Sequence, residues 1–118
     1  MEQPTPTVTR ADVERVVRRD FPPDQFDSVM SVLDEYGNET RHRELPRVQL
    51  AVLKLAAGSL DGLRREIGTA KCDYRDVLAN AEYPGYMKKT FRISRLPVEE
   101  QRKIIDEDWR QYETWLKR

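Results

Sequence analysis

The sequence predicts an all-α fold: a single-domain bundle of about five helices. Three observations carry that prediction. Apolar residues recur at three- and four-residue spacing along most of the chain. Glycine and proline divide it into helix-length pieces, and no alternating run of strand length occurs. The length, 118 residues, suits one domain with one core.

Residues 1–8 are polar and broken by Pro4 and Pro6, so they read as a disordered tail ahead of a domain spanning 9–118. Thr9, with Asp12 three residues on, makes a capping-box-like start for a first helix. Val13, Val16 and Val17 form its stripe, Phe21 lies one turn further, and Pro22 and Pro23 end it. A second helix opens near Pro23 or Asp24 and carries Phe26, Val29, Met30, Leu33 and Tyr36 at helical spacing. Gly37 suits a left-handed stop, and 38–44 is a polar connection.

Residues 45–57 leave almost no polar face, which predicts a central helix closed by Gly58. From Ser59, the positions Leu60, Leu63, Ile67, Ala70, Tyr74, Val77 and Ala81 make a heptad-like seam. The seam predicts one long helix near 59–82, continuous or slightly bent. Gly62 and Gly68 weaken its interior, and Asp73 with Asp76 is able to cap a restart. Tyr83, Pro84 and Gly85 read as a turn, and 86–95 as an extended arm or a short helix. The last helix opens near Leu96 and Pro97, with Glu99 and Glu100 first and Lys117 and Arg118 last, both favourable to its dipole. Val98, Ile105, Trp109, Tyr112 and Leu116 supply its expected buried stripe.

The charge balance, 21 Lys and Arg against 21 Asp and Glu, argues against nucleic acid held by bulk charge. One cysteine and one histidine exclude an internal disulfide framework and a cysteine-based zinc site. The five glycines are isolated, so no phosphate-binding loop of known pattern is present. No cofactor and no metal are expected. The first residues lack a signal-peptide pattern, and no apolar run approaches bilayer length. With the unpaired Cys72, this predicts a cytoplasmic protein with no membrane partner.

Segments 47–56 (RVQLAVLKLA), 73–84 (DYRDVLANAEYP) and 108–112 (DWRQY) resemble a group of small uncharacterised bacterial helical proteins. The resemblance covers roughly 20–118. It implies a bacterial, cytoplasmic protein and implies no activity.

Several residues offer chemistry, each with an ordinary structural use beside it. Glu39 and His42 stand three apart, a metal-pair spacing, but a lone pair reads better as a solvated histidine in a polar loop. Cys72 lies near Lys71 and Arg75, which would favour a thiolate, whereas a buried structural thiol is the common case. Asp73, Asp76 and Glu82 would serve acid–base work, or equally helix caps and ion pairs.

The segment 83–95 has the strongest functional look. Lys88, Lys89, Arg92 and Arg95 occur with no acid, interleaved with Tyr83, Tyr86 and Phe91. Such a surface suits an acidic partner, or it docks on the chain's own acids within 24–39 and 99–113. Trp115 is a candidate interface residue, with core-edge packing as its ordinary role. The seam and the spare tryptophan would also support a homodimer. The expected function is therefore non-enzymatic protein–protein interaction with an unspecified partner, as an adaptor, regulator or immunity-type inhibitor. The alternatives are a nucleic-acid or anionic-ligand binder through 83–95, and an enzyme using Cys72 or the Asp73, Asp76 and Glu82 group.

Overall fold

A computed structural model describes residues 3–40, 42–89 and 93–118. Helix α1 spans Arg10–Asp20, and its start is held as predicted, the Thr9 backbone N–H donating to Asp12 Oδ2 at 2.9 Å. Phe21 is in extended conformation, and a 3-10 turn at Pro23–Gln25 leads into α2, Phe26–Leu33. The chain reverses at Gly37, whose φ of +122° is costly for any residue with a Cβ. Helix α3 spans Leu45–Ala56 and α4 spans Leu60–Glu82. A short α5, Pro84–Lys88, and a 3-10 turn at Ile93–Arg95 precede α6, Val98–Lys117. Every regular element among the described residues is helical, so the all-α bundle stands.

The apolar run of α3 dictates its place. Val48, Leu50, Ala51, Val52 and Leu53 point in all directions around the helix and are all buried. Each such side chain contributes roughly 1.5–3 kcal/mol when removed from water, so neighbours gather on every side. Helix α4 lies along α3, and α1 packs on another flank. The seam residues Leu63, Ile67, Ala70, Val77 and Ala81 are buried within the chain. Gln49 is the polar exception inside α3, and it is fully used. Its Nε2 donates to the carbonyls of Leu33 and Tyr36 at 3.1 and 3.2 Å, and its Oε1 accepts from Arg10 at 2.9 Å.

Three expectations need correction. The long helix is kinked, with Asp73 at φ −154° and ψ 96°, where its Oδ1 accepts the Arg75 N–H at 3.1 Å and caps the restart. Tyr83, Pro84 and Gly85 do not form a turn; Pro84 starts α5, as proline can where no N–H is needed. The buried face of α6 is rotated: Ile104, Ile105, Asp108, Tyr112 and Trp115 are buried, Trp109 and Leu116 are half-buried, and Val98 is 60% exposed. Ahead of α1, residues 3–8 carry no regular secondary structure; Pro6 is buried and Val8 packs against the core.

Candidate functional site

Helix α5, within the segment 83–95, packs on α6. Their junction is built on Asp108. Its carboxylate accepts the backbone N–H of Gly85 at 2.9 Å and that of Tyr86 at 2.8 Å. These are the unsatisfied donors of the first turn of α5, so a carboxylate from another helix serves as its cap. A Cβ at Gly85 would stand 2.7 Å from Asp108 Oδ1, so the carboxylate would have to shift to admit one. The segment thus docks on one of the acids expected to receive it, Asp108, through two backbone amides.

The cations of the segment are left over. Lys88, Lys89 and Arg95 are exposed and make no ion pair among the described residues. Met87, beside them, is 38% exposed, and Val98 opens α6 just beyond. A groove lined by Lys89, Leu96, Glu100, Lys103, Ile104 and Glu107 runs between the segment and α6. The sequence placed the whole segment at the surface, and here the structure differs in part. Tyr83 is only 4% exposed, Ile93 is buried and Tyr86 is half-buried. The Tyr83 hydroxyl donates to the carbonyl of Pro4. Phe91 and Arg92 lie outside the described residues.

The enzyme candidates do not converge. Asp73 caps the kink, and Glu82 lies about 13 Å further along the helix by its rise per residue. There Glu82 is buried and held bidentately by Arg47, Nε to Oε2 at 2.8 Å and Nη2 to Oε1 at 2.7 Å. That hydrogen-bonded partner, more than the opposing cost of burial, raises the Arg47 guanidinium above its ordinary value. Asp76 is exposed. Cys72 is exposed rather than buried, since it lies off the apolar seam, between Ala70 and Tyr74.

His42 is buried rather than solvated. Its Nδ1 accepts the Gly37 N–H at 2.7 Å, and its ring stacks on Tyr36 at 4.5 Å. Its Nε2 lies 3.6 Å from Glu39, so the predicted pair exists as a clasp on the 38–44 connection. No group of three His, Cys, Asp or Glu side chains among the described residues converges as a metal site. No helix among them is long and apolar enough to cross a membrane.

Trp115 takes the core-edge role. It is buried, beneath the Arg19 guanidinium at 5.1 Å from its ring. Arg19 also donates to the Trp115 carbonyl at 2.7 Å, and Arg15 to that of Leu116 at 2.8 Å, which satisfies the end of α6. A cleft of about 900 Å³ opens there, lined by Arg19, Lys54, Arg110 and Arg118 among others. The sequence reading missed this group of cations, which are scattered over three helices. Asp20 also lines the cleft and pairs with Arg19 at 2.8 Å, and the carbonyls at the end of α6 take the rest of that guanidinium. Burial holds the Lys54 amine below its ordinary value.

Comparison with family models, with curated proteins and with solved structures finds no match to this chain.

Proposed function

We propose that the protein acts by protein–protein contact in the bacterial cytoplasm, without catalysis, as an adaptor, regulator or immunity-type inhibitor. An acidic partner docks on the α5–α6 end. One observation carries this reading: two of the three large hydrophobics that stay exposed among the described residues, Met87 and Val98, flank the cations Lys88, Lys89 and Arg95. Apolar area gives affinity on desolvation, and the cations select and steer an acidic surface.

The test is affinity capture from a bacterial lysate with the wild-type chain and with Lys88→Glu/Lys89→Glu, both checked for helicity by circular dichroism. The reading expects acidic partners to be held by the wild type and lost on charge reversal. Identical partner sets for both chains overturn it. Retention of single-stranded RNA or DNA in place of a protein, falling steeply with salt, would instead support the nucleic-acid alternative.

A further inference from the structure

The ends of α1, α3 and α6 meet around the cleft of about 900 Å³, and each brings a cation to it. Gly58, at φ +80°, lets α3 end close against α1, since a Cβ there would stand 3.3 Å from the Asp20 carbonyl oxygen. The negative groups of the cleft are gathered on one of those cations. Arg19 takes the Asp20 carboxylate at 2.8 Å and donates to the carbonyls of Trp115, Leu116 and Arg118. Lys54, Arg110 and Arg118 are left over, and none of their side chains forms an ion pair or hydrogen bond among the described residues. The acid that acts on Lys54 is Asp108, but both its oxygens are committed to the Gly85 and Tyr86 amides. Lys54 is half-buried, and the loss of water around its amine holds it below its ordinary value. Arg118 lowers it further by like-charge repulsion. Three like charges gathered without an acid work against the fold, and an anion between them turns that repulsion into attraction.

We propose that this cleft binds a small phosphate-bearing anion, of diphosphate size or larger, held by Lys54, Arg110 and Arg118. Guanidinium forks match pairs of phosphate oxygens, and the ammonium adds a point charge beside them. Three cations spread over α3 and the end of α6 need more than one anionic group to answer them all, which favours a diphosphate over a single carboxylate. The cleft has the size of a small-molecule site, for which roughly 300–1,000 Å³ is usual. A long polyanion is the poorer occupant, because the chain as a whole carries no net charge to hold it beyond the cleft. The site is separate from the acidic-partner surface, which uses Lys88, Lys89 and Arg95.

The experiment is isothermal titration of the full chain with sodium pyrophosphate, free of divalent metal, at low and at physiological salt. One-to-one binding tighter than ~1 mM is expected at low salt, weakening as salt rises. Lys54→Met keeps the apolar stem and removes the charge, so it should melt no lower than the wild type yet bind at least about tenfold more weakly. Arg110→Gln, at an exposed position, should weaken binding to a similar degree. Arg65→Gln, at an exposed position of α4 that does not line the cleft, should bind as the wild type does. Absence of binding up to ~1 mM at low salt overturns the proposal. So does binding that Lys54→Met and Arg110→Gln leave unchanged, since the anion then sits elsewhere. Sulfate bound as tightly as pyrophosphate at equal ionic strength overturns the diphosphate assignment. A single-stranded oligonucleotide that displaces pyrophosphate at lower concentration than unlabelled pyrophosphate does overturns the small-anion assignment. Adenosine triphosphate separates the two sources of the same chemistry: tighter binding than pyrophosphate assigns the cleft to an organic phosphate, and equal or weaker binding to an inorganic one.

Discussion

Glu82 is 2% exposed and its two carboxylate oxygens both rest on Arg47, so removing the guanidinium leaves a buried charge without a partner. Arg47→Ala should destabilise the fold by about 3–5 kcal/mol, whereas Arg47→Met combined with Glu82→Leu should cost far less, because no charge is then stranded. Urea denaturation of the two variants measures the difference. The same neighbourhood sets an alkaline limit. Burial first, then the negative charge of Glu82, pushes the Tyr83 phenol up to about 12 and raises Tyr112 as well. A raised folded-state value means that the unfolded chain gives up these protons first. The stability they support is therefore complete below about pH 10 and is lost as pH climbs toward 12. Thermal melts across that window should show a falling midpoint, and Tyr83→Phe should flatten the fall. The lowered Lys54 acts in the opposite sense, since its burial penalty disappears as the amine loses its proton. None of these roles was readable from the residues alone. Glu82 closes the α4 seam beside Ala81, and only the approach of Arg47 from α3 makes it buried.

At the scale of elements, two substitutions in α4 should act in opposite directions. Gly68 is exposed, and a Cβ there would meet nothing within 4 Å, so Gly68→Ala should stabilise by about 0.5–1 kcal/mol through helix propensity. Asp73→Ala removes the cap at the kink and should cost about 1 kcal/mol. Chemical denaturation of each single variant checks both signs. Helix α5 depends on a different helix for its start. Asp108→Ala removes the acceptor of two backbone donors and should cost about 2–3 kcal/mol. Hydrogen exchange should accelerate at the Gly85 and Tyr86 amides in that variant while the amides of α3 keep their protection. The periodicity of α6 also shows why its expected face was misplaced. A hydropathy pattern sends Asp108 outward and Val98 inward, but the donors of α5 hold Asp108 at 5% exposure and carry the buried face with it.

For the whole molecule, the radius of gyration is 14.8 Å, above the value of about 13.5 Å typical of a compact chain of this length. Extents of 48 × 30 × 23 Å show the reason, an elongated body rather than a sphere. Small-angle scattering at low concentration should return this elongated shape. The two features that suggested a homodimer, the α4 seam and Trp115, are occupied inside the chain. Any second copy would therefore have to use another surface, and Leu45, Met87 and Val98 are the large hydrophobics exposed among the described residues.

The sequence by itself determined the all-α class, the central position of α3, the Thr9–Asp12 start of α1 and the span of α4. These follow from local propensity and from apolar spacing, which act within a few residues and need no partner. Tertiary structure alone decided the burial of Glu82 and Asp108, the burial of Tyr83 with its bond to the Pro4 carbonyl, and the rotated face of α6. Each of these depends on a donor, acceptor or ring brought from far along the chain. A buried polar group is tolerated only where such a partner arrives, and one-dimensional spacing carries no record of that arrival.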